Sequence, residues 1–185
     1  MEDDPEAQKP TLPVRITIYH AAQDDPRKNT ALRLKRRGFA RIVTRSRFLP
    51  KRAIVLNPFS EVAFSPADKE RIEQFGLAAL DCSWEHAQKV MSGHVKGTSR
   101  CLPILIAGNS VNFGKLTKLT TAEAIAAALY IAGFKVEAEE LLSIFTWGHT
   151  FFELNRMLLD NYMRARDSRE IVEMQNRLLK GKKSL

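Results

Sequence analysis

The residues best placed to do chemistry sit at the ends of short apolar runs. Asp81 follows Leu77-Ala78-Ala79-Leu80 directly and opens the string Asp81-Cys82-Ser83-Trp84. A carboxylate at such a junction is desolvated on one side, and three roles suit it: general base, partner of an ammonium group, or N-cap of the helix that starts beyond Ser83. Trp84 can stack on an adenine or another base, or fill the core. Two more polar loops follow apolar runs, Asn57-Pro58 after residues 53–56 and Gly108 to Gly114 after residues 102–107. Metal chemistry has little to draw on. Cys82 and His86 put two ligands on one helical face and Cys101 offers a third, yet two cysteines and four scattered histidines do not build a four-ligand zinc site, so no metal is expected. Cys82 reads as a structural thiol or a nucleophile. No G-x-G-x-x-G, no G-x-x-x-x-G-K-[ST] and no H-E-x-x-H occurs, which removes support for dinucleotide hydride transfer, P-loop phosphate chemistry and zincin hydrolysis.

A second chemical signal is charge. Between Pro26 and Ser60 lie eleven basic residues and no acid: Arg27, Lys28, Arg33, Lys35, Arg36, Arg37, Arg41, Arg45, Arg47, Lys51 and Arg52. The formal net charge of the 185-residue chain is +8, and outside this segment 18 basic residues face 21 acidic ones, so the excess is local. Clustered cations neutralise phosphates and gain free energy by releasing counterions, which points to nucleic acid ahead of a solvated face or an acidic partner. No zinc-finger, RRM or basic-zipper pattern accompanies the cluster.

The elements that must position these groups alternate strand and helix. Residues 15–20 (RITIYH) alternate and are β-branched, hence a strand; residues 29–37 form a short basic helix stopped at Gly38. Residues 40–43 and 53–56 are short apolar runs. Ser65-Pro66-Ala67-Asp68 starts a helix that ends at Gly76, and residues 77–80 form a strand buried on both faces. A helix over residues 85–91 and a second buried strand over residues 102–107 (LPILIA) follow. Thr120-Thr121-Ala122-Glu123 is a capping box that opens an Ala-rich, buried helix to residue 132, with three more helices near 138–145, 149–163 and 168–179. This is an α/β domain around a mainly parallel sheet, whose ligands collect at the carboxyl ends of the strands. No apolar run is long enough to cross a bilayer, and the acidic start MEDDPEAQKP is not a secretory signal.

Six ordered blocks carry a family resemblance. DPRKNTALRL (25–34), LNPFSEVAFSPAD (56–68), GLAALDCSW (76–84), RCLPILIAGNSVNFG (100–114), KLTTAEA (118–124) and WGHTFFELN (147–155) together resemble the ribosome-biogenesis aminocarboxypropyltransferases of small-subunit rRNA. The family's Asn-Pro-Val-Asn-Tyr-Gly loop stands here as Asn109-Ser110-Val111-Asn112-Phe113-Gly114, which implies a looser loop and no hydrogen bond from a tyrosine hydroxyl.

The resemblance implies a SPOUT-like sheet with a C-terminal trefoil knot and a helical C-terminal part, preceded by a small basic N-terminal α/β region. Residues 1–14 would be a disordered lead-in, 15–75 the RNA-binding region and 76–185 the cofactor domain. It implies S-adenosylmethionine as donor of a 3-amino-3-carboxypropyl group to N3 of N1-methylpseudouridine, with 5′-methylthioadenosine released. Thr30 would reach the cofactor; Leu80, Leu102, Thr117 and Thr121 would line the nucleoside pocket; Leu56, Pro58 and Trp84 would surround the adenosyl group and methyl sulfonium. Asp81 would act as base or position the amino group. Burying the methyl while opening the larger arm toward RNA would select the transferred group by geometry. The implied partners are small-subunit rRNA or a pre-ribosomal subunit, met by a cytoplasmic monomer. A SPOUT-type RNA methyltransferase and a non-catalytic assembly factor that binds RNA are the rival readings.

Overall fold

The computed structural model describes residues 12–21, 29–92 and 95–181. Arg27, Lys28 and the lead-in up to residue 11 lie outside them, as does the Trp84 side chain.

Five strands, β1 (Ile16–His20), β2 (Arg41–Val43), β3 (Ile54–Leu56), β4 (Leu77–Asp81) and β5 (Thr98–Arg100), form one sheet in the order β2-β1-β4-β3-β5. Every pairing is parallel. Parallel strands need crossover connections, and helices supply them: α1 (Thr30–Arg36) joins β1 to β2, α2 (Lys69–Phe75) joins β3 to β4, and α3 (Trp84–Ser92) joins β4 to β5. Four helices follow among the described residues: α4 (Thr121–Ile131), α5 (Lys135–Ser143), α6 (Gly148–Met163) and α7 (Ser168–Gly181). From β1 the chain moves to one edge and from β4 to the other, so the carboxyl ends of β1 and β4 flank a topological switch point. Because β4 lies between β1 and β3, the boundary expected at residue 76 runs through a single sheet.

Alternation along the strands sends side chains to two cores. Ile16, Ile18, Ile54, Leu56, Leu77 and Ala79 pack with the C-terminal helices and α1. Tyr19, Val43, Val55 and Ala78 face the other layer, where Val90 and Met91 of α3 cover them. Tyr19 Oη also lies 2.9 Å from His86 Nε2, tying α3 to β1, and burial pushes the Tyr19 phenol up from its ordinary value. Ala126, Ala127 and Ala128 of α4 are fully buried, as close packing of an Ala-rich helix requires.

One sequence expectation is corrected. Residues 102–107 are not a sheet strand; the last strand is β5, immediately upstream. Pro103 has no N–H to give a ladder, and the segment's polar groups go to other elements. Asn155 of α6 brackets Ile106, accepting its N–H at 2.8 Å and donating to its carbonyl at 2.8 Å. Gln175 of α7 accepts from Ile104 N–H at 2.9 Å, and Tyr162 donates to the Ile104 carbonyl at 3.2 Å. Burial raises the Tyr162 phenol to about 12. On the other side Ala107 N–H donates to the Lys115 carbonyl and Thr117 N–H to the Leu105 carbonyl, both at 2.9 Å. Gly108 follows because nothing larger fits: a Cβ there would stand 2.6 Å from the Phe151 backbone nitrogen.

Candidate active site

Asp81 ends β4, and parallel register sets it beside His20, the last residue of β1. It is 9% exposed. Its Oδ2 accepts from His20 Nδ1 at 2.6 Å and from Asn29 Nδ2 at 2.7 Å, while Oδ1 accepts from Thr121 Oγ1 at 2.7 Å. Asn29 works twice, since its Oδ1 also caps α1 by accepting from Leu32 N–H at 2.9 Å. One carboxylate therefore joins β1, the start of α1, β4 and the start of α4. The capping role goes to Ser83, whose hydroxyl accepts from His86 N–H at 3.3 Å.

Asp81 lines a cleft of about 700 Å³, within the range of about 300–1,000 Å³ usual for small-molecule sites. Thr30, Leu56, Pro58, Leu80, Leu102, Thr117 and Thr121 line it too, so the structure brings together every expected cofactor residue whose side chain is described. Ala79, Leu119 and Ala124 extend the apolar wall; Asn29, Asn57, Asn109, Asn112 and Thr120 add polar atoms. Cys82 and Cys101 also reach the cleft. Burial raises the Cys101 thiol above its ordinary value, which disfavours a thiolate there. No cluster of three metal-ligating side chains occurs among the described residues.

The loop from Gly108 to Leu119 forms one wall and is held from beneath by Glu123. That side chain is fully buried in the first turn of α4. Its Oε1 accepts from the backbone N–H of Gly108 at 2.8 Å and of Asn109 at 3.0 Å. Its Oε2 accepts from Asn109 Nδ2 at 2.8 Å, Thr120 N–H at 2.7 Å and Thr120 Oγ1 at 3.0 Å. Asn109 Oδ1 in turn accepts from Val111 N–H at 3.2 Å and Asn112 N–H at 3.0 Å. These hydrogen bonds hold the loop in which Ser110 stands at the position of the family's proline. Thr117 sits in it with φ 59°, a left-handed conformation that a β-branched residue adopts only when its surroundings impose it.

Comparison with known proteins decides the family. Residues 54–179 match the family model described as "Ribosome biogenesis protein, C-terminal". The 16S rRNA aminocarboxypropyltransferase of Methanothermobacter thermautotrophicus is 46% identical over 171 residues, covering 91% of this chain and 100% of that protein. The enzyme of the same name from Methanosarcina acetivorans is 48% identical over 165 residues, covering 88% and 93%. The chain belongs to the 16S rRNA aminocarboxypropyltransferase family. A solved relative, the SAM-dependent rRNA:acp-transferase Tsr3 of Vulcanisaeta distributa, superposes with a TM-score of 0.80 at 38% identity, covering 90% of this chain and 98% of that one. Membership makes this chain a transferase with an α/β fold, and no helix among the described residues is long and apolar enough to cross a membrane.

Within this aminocarboxypropyltransferase fold the basic residues are spread over α1, β2 and the segment leading to β3. Arg33, Arg36, Arg37, Arg41, Arg45, Lys51 and Arg52 are all exposed. Two of them also pack on rings, Arg33 at 5.0 Å from the Phe145 centroid and Arg52 at 3.9 Å from that of Phe75. Thr30 opens α1 at the cleft while Arg36 and Arg37 end it, so a helix of seven residues links the two regions.

Sequence reasoning missed His20, Asn29, Asn109 and Glu123 as parts of the site. Two of these carried a usable signal. His20 is a polar residue ending an apolar strand, the same cue that singled out Asp81, and Asn29 directly precedes a helix at an N-cap position.

Proposed function

We propose that this chain transfers the 3-amino-3-carboxypropyl group of S-adenosylmethionine to N3 of a hypermodified uridine, N1-methylpseudouridine, in small-subunit rRNA, releasing 5′-methylthioadenosine. The observation that carries the reading is a cleft at the switch point that joins a buried carboxylate, hydroxyls and apolar walls, in a chain whose relatives are named for this transfer.

The donor set fits such a cofactor. An amino-acid nucleoside with a cationic centre needs an apolar slot for its ring, polar partners for its ribose and amino-acid arm, and a fixed negative charge. Leu56, Leu80, Leu102, Leu119 and Ala124 supply the first; Thr30, Thr120, Thr121 and the cleft asparagines supply the second. Among the described residues lining the cleft, Asp81 is the one carboxylate. The bound cofactor supplies a sulfonium that already activates its neighbouring carbons. A carboxylate offers about four acceptor positions, and three donors occupy Asp81, which leaves about one directed to a ligand. Asp81 therefore holds and orients an ammonium group, and the proton on uracil N3 leaves through water on the open side of the cleft. Its three partners keep the charge in place before substrate arrives, which is how preorganised electrostatics lowers a barrier.

The exposed arginines and lysines of residues 33–52 bind the phosphates that flank the target, and the protein acts as a cytoplasmic monomer on small-subunit rRNA or a pre-ribosomal subunit. The SPOUT-like knotted topology is supported by residues 102–107, which lie between the loop ending at Thr117 and the side chains of α6 and α7. The deciding experiment incubates the protein with carboxyl-labelled S-adenosylmethionine and small-subunit rRNA, then separates nucleosides. Label in a uridine derivative together with methylthioadenosine supports the proposal. Methyl transfer would instead yield S-adenosylhomocysteine and leave the carboxyl label off the RNA.

A further inference from the structure

Ten large apolar side chains are exposed among the described residues, and five of them stand on two loops that flank the cleft. Phe59 and Val62 follow the cleft-lining Asn57 and Pro58; Val111, Phe113 and Leu116 belong to the loop pinned by Glu123. Apolar residues scattered singly over a surface need no explanation, whereas a concentration at the mouth of a cleft marks a place that something covers. Phe113 is the most telling. It is 61% exposed, lies next to the cleft-lining Asn112, and meets no ring or cation among the described residues.

The backbone beneath it is fixed. Gly114 N–H donates to the Ala107 carbonyl at 2.8 Å, Lys115 N–H donates to the Asn112 carbonyl at 2.9 Å, and Asn109 holds the amides of Val111 and Asn112. An aromatic ring presented on a rigid loop pays little ordering entropy when a partner lands on it. Charge identifies the partner. From His86 to Ala122 the chain has five basic residues, among them Lys115 and Lys118 on this loop, and no acid.

We propose that Phe113 is a stacking platform for an unpaired base of single-stranded RNA next to the nucleotide that enters the cleft. This rests on the reading of the cleft as an RNA-modifying site and adds a second contact region, separate from the arginines and lysines of residues 33–52. Aromatic rings stack on bases of any sequence, and unstacked single strands are the form in which RNA offers its bases to proteins.

The test is direct binding, independent of group transfer. A fluorescein-labelled oligouridylate is titrated with wild type, Phe113→Ala and Phe113→Tyr by anisotropy, with S-adenosylmethionine affinity measured by calorimetry on each. Loss of one stacking contact is expected to raise the RNA Kd about 5- to 100-fold in Phe113→Ala, while Phe113→Tyr stays within about twofold. Cofactor affinity is expected to be unchanged in both. An unchanged RNA Kd in Phe113→Ala overturns the proposal and assigns the patch to a protein partner; a parallel loss of cofactor affinity overturns it by showing that the ring holds the cleft itself. If wild type yields no methylthioadenosine but Phe113→Ala still loses RNA, the transfer reading fails and the platform stands.

Discussion

Glu123 is where the architecture of the cleft can be tested with one atom. Five donors converge on its fully buried carboxylate, from Gly108, Asn109 and Thr120. Glutamine keeps the shape but has one acceptor oxygen and brings two donors of its own. If that oxygen keeps the two backbone amides of Gly108 and Asn109, the new amide group faces Asn109 Nδ2, the Thr120 N–H and the Thr120 hydroxyl. The hydroxyl can turn and accept, and Asn109 Nδ2 keeps the Lys118 carbonyl at 3.4 Å for its other hydrogen, so the Thr120 N–H and one Asn109 side-chain N–H lose their acceptor. Each unsatisfied buried donor costs about 1–3 kcal/mol, which puts Glu123→Gln at about 2–6 kcal/mol of lost stability. At about 2–4 °C per kcal/mol for a chain of this size, the midpoint falls by about 4–24 °C. The variant should still fold when cold, because single domains hold about 5–15 kcal/mol in all. Thermal unfolding followed by circular dichroism measures the shift. Calorimetric titration with S-adenosylmethionine below the midpoint should also show weaker binding, since Asn109, Thr120 and Thr121 line the cleft. A midpoint within about 2 °C of wild type would show that water satisfies those donors and that Glu123 does not organise the loop.

Asp81→Asn should keep the fold, because an asparagine oxygen in the Oδ2 position still accepts from His20 and Asn29 while its amide donates to the Thr121 hydroxyl; removing the charge should weaken S-adenosylmethionine binding about 10- to 100-fold, the loss expected for a charge-assisted hydrogen bond, and an unchanged Kd would mean that Asp81 does not hold the donor. Replacing Arg36, Arg37 and Arg45 by glutamine should weaken RNA binding and lower the slope of log K against log salt by about one per lost phosphate contact, with cofactor affinity intact; Arg33 is left alone because it also packs on Phe145. At the start of α7, the Glu170 backbone N–H and that of Arg169 hold the Asp167 carboxyl below its ordinary value, and the Arg166 backbone N–H and guanidinium do the same for Glu170. Both folded values are depressed, so this stabilisation is complete above the unfolded values near pH 4 and is lost as pH falls through the folded ones. Asp167→Asn should therefore be less stable than wild type at neutral pH and converge with it in acid, and parallel curves in denaturant melts across that range would count against the capping role.

Much of the fold was legible because its signals are local. Ser65-Pro66, the Thr120–Glu123 capping box, and the glycines ending α1 and α2 each mark a helix boundary within a few residues. Asp81 was legible for the same reason, as a polar residue closing an apolar run. Its partners were not, because His20 lies 61 positions away and Asn29 52, brought near only by the parallel pairing of β1 with β4. Residues 102–107 show the opposite failure. Their apolar run looks like a strand, yet their hydrogen bonds go to Asn155, Tyr162 and Gln175, side chains 49 to 71 positions downstream. No local pattern distinguishes a segment that pairs with a sheet from one whose backbone is satisfied by helices not yet reached in the chain.

The same contacts remove the opposition between a structural and a functional Asp81. A charge is useful in a reaction only if it stays put while solvent is excluded, and fixing a carboxylate takes donors from independent elements. His20, Asn29 and Thr121 come from three such elements, so the bonds that assemble the cleft are those that aim its charge. Asn29 carries this outward. It caps α1 with one end of its side chain and holds Asp81 with the other, and α1 spans about 10 Å at 1.5 Å per residue before its basic end reaches solvent. On the proposed function, RNA gripped at Arg36 and Arg37 would thereby be set at a fixed distance from the cleft. Asn29→Ala should loosen both ends of that linkage together, whereas the arginine substitutions loosen one.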